Sequence, residues 1–172
     1  MPDAPTLEQA LPPLARAFVV QLAPPDGGVD AAQVFADLGP DAKGRARRLE
    51  LMFLPREADD EPYALQFFVL MPFSFELEQI PDLARFLAAV NVKLPIGHFG
   101  MSEVEGWIYF RNVVPCPPGP LDPAAIIYTA RVCAYVVDQV GELVESVADG
   151  SRELEEAFTA YDRRAMVDEA AG

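Results

Sequence analysis

Residues 86–111 read FLAAVNVKLPIGHFGMSEVEGWIYFR. Phe86, Leu87 and Val90 recur at helical spacing and continue a pattern that Pro81, Asp82 and Leu83 open, because a proline at the first helical turn loses no amide donor that the helix needs. Pro95 cannot carry that helix further, so the chain must change geometry between Asn91 and Pro95. Residues 96–101 and 107–114 then alternate with period two around a turn at Glu103, Val104, Glu105 and Gly106, which predicts a hairpin. On its second strand Ile108 and Phe110 point one way, and Trp107, Tyr109 and Arg111 the other. The stretch dictates architecture; it holds no nucleophile with a base.

Upstream the period is also two. Leu49, Leu51 and Phe53 alternate with Arg48, Glu50 and Met52, and after a charged connection at residues 55–62 the chain returns with Tyr63, Leu65, Phe67, Val69 and Met71 on one face. These segments form an antiparallel pair. Phe68 and Leu70 make the opposite face apolar as well, so both faces call for cover. Residues 1–45 read as a helix and loop region of the same domain. A helix covers residues 7–18 with Pro12 and Pro13 at its first turn or breaking it, and residues 18–22 either finish that helix or begin a strand. Pro24, Pro25, Asp26, Gly27 and Gly28 force a loop, and a short helix over residues 31–38 ends at Gly39 and Pro40.

Downstream, the Pro-rich residues 115–120 lead to Asp122, an N-cap with Pro123 behind it, and a helix running to Ala148. One stripe of this helix holds Ile126, Ile127, Ala130, Ala134, Val137, Gly141, Val144 and Ala148. A second holds Tyr128, Val132, Tyr135, Val136 and Leu143. A helix resting on one sheet needs a single stripe, so the second must meet another helix or another subunit. Asp149 and Gly150 stop the helix, and Ser151 reads as the N-cap of a further one with Leu154, Phe158, Tyr161 and Ala165 on its apolar side. The main domain therefore covers residues 46–166, with a flexible tail at 167–172.

Composition narrows the function classes. A chain of 172 residues that is 51% hydrophobic can bury a core in one domain. Twenty-seven acidic against thirteen basic residues give a net charge of -14, which repels a phosphate backbone, so nucleic acid is not an expected partner. The basic cluster Lys43, Arg45, Arg47 and Arg48 reads as solvated charge at a strand edge, and Arg163 and Arg164 read the same way. Cys116 and Cys133 stand in no CxxC or Cys/His pattern, which fits reduced thiols in a cytoplasm. The first residues lack the basic start and apolar core of a signal peptide, and no apolar run reaches membrane-spanning length, so no membrane insertion is expected.

Residues capable of chemistry lack partners in sequence. His98, the one histidine, lies between Gly97 and Phe99 and reads as structural or exposed. Asp59, Asp60 and Glu61 lack the spacing and glycine of an EF-hand loop and read as a solvated turn. The pairs Glu142 with Glu145 and Glu153 with Glu156 fall on exposed helical faces. No serine sits in G-x-S-x-G and no phosphate-cradling loop is present. Catalytic, cofactor and metal residues are therefore assigned to none of the chain. Asn91 reads as a C-terminal cap of its helix, and Arg111 as the partner of a carboxylate across the sheet.

The ordered set of Asn91, Pro95, Gly97 and Phe99, a hairpin ending in Arg111, a Pro-rich loop, a long helix and Asp149-Gly150 resembles the YbjN family, whose fold is that of type III secretion chaperones. The match covers residues 47–161. The resemblance implies an α+β domain with one antiparallel sheet of about five strands and helices at its face and edges. It also implies a bacterial regulator or chaperone-like binding protein, often dimeric and not an enzyme. A protein partner or a homodimer is expected, held through Phe68, Leu70, Trp107 and Tyr109 on the sheet or Tyr128, Val132, Tyr135, Val136 and Leu143 on the long helix.

Overall fold

Alternation in the sequence becomes pairing in space. The computed structural model describes residues 4–23, 32–58 and 61–171, with side chains to residue 164. Strands β1 (Val19–Ala23), β2 (Gln33–Pro40), β3 (Ala46–Phe53), β4 (Tyr63–Leu70), β5 (His98–Ser102) and β6 (Trp107–Cys116) form one antiparallel sheet in the order β1-β2-β3-β4-β6-β5. Among the described residues four α-helices accompany it: α1 (Leu11–Leu14), α2 (Ile80–Lys93), α3 (Pro123–Ala148) and α4 (Leu154–Ala171). The fold is α+β, a six-stranded antiparallel sheet packed with helices.

Two regions differ from the sequence reading. Residues 33–38 form a strand, where a short helix is expected; of the two alternatives for residues 18–22, the strand is the one formed, as Val19–Ala23 begins the sheet. Val34, Phe35, Ala36 and Leu38 satisfy both a helical and an alternating template; the unpaired backbone along β3 decides between them, because it needs a neighbour. The N-terminal helix is reduced to a 3-10 turn at Leu7–Ala10 and the four residues of α1, with Pro12 in its first turn. The loop expected at residues 24–28 lies outside the described residues. At the other end Ser151 is not an N-cap. Its amide goes to Asp149 Oδ1 at 2.9 Å and its hydroxyl to the Ser146 carbonyl, so α4 begins only at Leu154 and then extends through most of the expected tail.

The remaining elements follow their residues closely. Leu83, Phe86, Leu87 and Val90 of α2 are all buried, each removing about 1.5–3 kcal/mol of apolar surface from water. Leu94 is pushed to extended geometry by the proline after it (φ -71, ψ 137). Asp122 caps α3 by accepting from the Ala124 amide at 2.9 Å. The helices pack on the sheet face that carries Leu49, Leu51, Leu65, Phe67, Val69, Ile108 and Phe110.

Asn91 does something other than cap its helix. Its side-chain amide donates to the Phe99 carbonyl at 2.9 Å, and its oxygen accepts from the Phe99 amide at 2.7 Å. One side chain thus pairs with the outer edge of β5 as a neighbouring strand would, closing that edge at its centre. Asn91→Ala leaves both backbone groups without a partner and is expected to lower unfolding free energy by about 2 kcal/mol. Urea denaturation measures it, with the exposed neighbour change Val92→Ala as a control expected to shift nothing.

Candidate functional site

With the helices on one face, the other face of the sheet stays open among the described residues, and its composition is unusual for a solvated surface. Strand register places Gln21, Phe35, Glu50, Phe68, Arg111 and His98 opposite one another in a row crossing all six strands. A second row, one pleat along, contains Asp37 beside Arg48, and Leu70 beside Tyr109 and Gly100. Phe68 and Tyr109 stack with centroids 5.4 Å apart, His98 meets Tyr109 edge-on at 6.5 Å, and the Arg48 guanidinium lies 5.0 Å over the Phe35 ring. Gly100 is small for a reason: a Cβ there would come 2.5 Å from the Tyr109 ring.

Neither inner charge of the first row forms an ion pair with another described residue. Arg111 makes no ion pair with any described carboxylate, contrary to the sequence reading, because the positions beside it are Phe68 and His98; its Nε is buried without a hydrogen bond. Burial among these side chains pushes the Glu50 carboxyl above the usual carboxylate range, against the pull of Arg48. Such a face holds aromatic area and incompletely satisfied charge together.

The nine residues singled out in sequence therefore separate. Phe68, Leu70, Trp107 and Tyr109 gather on the open face, where Leu70 is 41% and Trp107 37% exposed. On α3, Tyr128 is 67% and Tyr135 48% exposed and Val132 is half-buried, but Val136 and Leu143 are buried in the chain's own core. Those last two are not available to a partner. The helix packs against α1, α2 and α4 as well as the sheet, so more than one of its stripes is consumed within the chain.

Part of the basic cluster is misread. Arg45 grips Glu145 of α3 through two hydrogen bonds of 2.8 and 2.7 Å, Lys43 reaches the same carboxylate at 2.9 Å, and Arg47 pairs with Asp138. Arg47 is 8% and Glu145 9% exposed, so the solvated reading fails for Arg47 and for the carboxylate that Arg45 grips, whereas Lys43 and Arg48 remain exposed as expected. The signal was present: Arg47 shares its parity with Leu49 and Leu51, and Glu145 follows Val137 and Gly141 at four-residue steps, so both point inward. Arg164 likewise donates to the Gln139 carbonyl and pairs with Glu142. The network borders a cleft of about 440 Å³ floored by Met71, Phe73 and Val137.

Nucleophilic chemistry finds little support. Burial pushes the Cys133 thiol up to about 12 and raises that of Cys116. His98 is exposed, with the Tyr109 ring as its neighbour. Among the described residues no three metal-ligating side chains converge and no helix is long and apolar enough to cross a membrane. Glu61 accepts the Glu57 amide within its loop, while Asp59 and Asp60 lie outside the described residues. Comparison with protein-family models and with curated proteins finds no match.

Proposed function

We propose that this chain is a non-enzymatic, protein-binding domain of the YbjN kind, built like the type III secretion chaperones and working in a bacterial cytoplasm. The observation that carries the reading is the open sheet face. Phe68, Leu70, Trp107 and Tyr109 supply the aromatic and aliphatic area that protein interfaces favour, and Arg111 and Glu50 supply charge to orient a partner. The acidic remainder of the surface keeps such a complex soluble. Tagged protein exposed to lysate of its native host tests this, with stoichiometry from light scattering. Trp107→Ala is expected to reduce recovery of a face-bound protein at least about tenfold while leaving the circular dichroism spectrum unchanged. Undiminished recovery by the variant moves the binding surface elsewhere.

A second reading is a homodimeric structural or regulatory protein that closes through α3, favoured by the exposure of Tyr128 two turns from Tyr135. Tyr135→Glu separates that dimer into single chains, and an unchanged mass removes α3 as the contact.

A further inference from the structure

We propose that the cleft between α3 and the β2–β3 turn binds a linear aliphatic polyamine, with ammonium groups on the carboxylates of the helix and methylenes on the apolar floor. The cleft lies on the helix-covered side of the sheet, so this stands independently of the open face. Its volume of about 440 Å³ is that of a small-molecule site. Met71, Phe73 and Val137 form the floor, and Gly141 keeps it low, since a Cβ there would come 3.2 Å from Cε of Met71. Glycine inside a long helix weakens it, so the opening above Met71 is kept against helix propensity. Arg47 and Glu145, both buried, brace the walls, and the site is set before a ligand arrives.

Charge sets the class of ligand. Five carboxylates line the cleft against three cations, and the cations are already committed: Arg45 to Asp41 and Glu145, Lys43 to Glu145, and Arg47 to Asp138. Both oxygens of Asp41 and of Glu145 are occupied by these residues. Asp138 and Glu142 each keep more than half of the side chain exposed, with Arg164 no closer than 3.5 Å to Glu142. Asp149 is exposed as well, within the field of Lys43. The spacing of these three suits a chain of charges. Asp138 and Glu142 stand one turn apart on the same helical face, and Asp149 lies seven residues on, about 10 Å at the helical rise. A metal ion needs convergent ligands, which the described residues do not supply, whereas ammonium groups spaced by methylenes match a row of carboxylates over an apolar floor.

Calorimetric titration of the full chain with spermidine tests the assignment, in about 0.15 M salt so that attraction to the acidic surface at large is screened. One saturable site with a Kd below about 1 mM is expected, with NMR amide shifts confined to the residues that line the cleft. Glu142→Lys, at an exposed position, is expected to weaken binding at least about tenfold, and Glu142→Gln, which serves if the first variant fails to fold, about threefold. Glu103→Lys makes the same change of charge in the β5–β6 turn and is expected to leave the affinity within about twofold. The uncharged 1,8-octanediol, of similar length, is expected not to bind. Absence of a saturable site overturns the proposal, as does equal weakening by the two lysine variants, which marks an adventitious counterion only. A diol that binds as tightly as spermidine reduces the site to its apolar floor and overturns it too. A tetralysine peptide that binds where spermidine does not puts a protein segment in the cleft instead.

Discussion

Gly97→Ala is expected to lower unfolding free energy by about 3 kcal/mol, through two terms that a companion variant separates. Gly97 has a φ of +67, where an L side chain is strained, and a Cβ there would stand 2.5 Å from Cζ of Phe110 and 2.8 Å from the Arg111 carbonyl oxygen. The second contact is with backbone in the middle of a ladder, which cannot yield as a flexible side chain does. Gly39 has a φ of +75 with nothing within 4 Å of its Cβ position, so Gly39→Ala isolates the conformational cost, about 1 kcal/mol. Denaturant midpoints of the two variants measure the difference. Equal losses at both positions contradict the close packing of Phe110 across Gly97.

Glu145→Ala is expected to cost about 2 kcal/mol near neutral pH, because it removes the bidentate partner of the part-buried Arg45 guanidinium, whereas the exposed Lys43 ammonium returns to water. Arg45 keeps Asp41, with which it also pairs, so the loss stays below that of a fully isolated buried charge. The pH dependence has a definite sign. The hydrogen bonds from Arg45, then Lys43, hold the Glu145 carboxyl below its ordinary value of 4.5 against the opposing effect of burial. A carboxyl depressed on folding stabilises the native state above its unfolded pKa and loses that contribution as pH falls through the lower, folded value. Wild-type stability is therefore expected to fall as acid is added below about pH 4.5, and Glu145→Gln to flatten part of that slope. Asp41 and Asp149 are also held low and account for a remaining slope. Parallel acid titrations of melting temperature distinguish the two proteins; identical slopes remove Glu145 from the linkage.

Local rules carried much of the architecture. The stripe of α2, the Asp122 cap and the parity of Ile108 against Tyr109 are decided within a few residues, since helix and strand periods leave little choice once Pro95 and Pro123 are in place. The residues that proved hardest were polar ones beside apolar neighbours. Asn91 has the chemistry of a helix cap and the same chemistry serves a strand edge; only the proximity of β5 tells which groups it meets. Arg45 and Glu145 lie 100 positions apart, and although Glu145 faces inward by its own periodicity, no local period reveals that this cation and anion meet in the same wall.

Sequence alone determined the alternation of β3, β4 and β6, where α2 and α3 begin and stop, and that the long helix is too apolar for one sheet, because these properties depend on neighbours within one turn or one pleat. Tertiary structure decided that residues 33–40 add a strand, that Val136 and Leu143 are consumed internally, and that Glu50, Phe68 and Arg111 share one row. Those outcomes depend on strand order and on register between segments distant in sequence. Register sets which charges stand side by side, and no local periodicity encodes it.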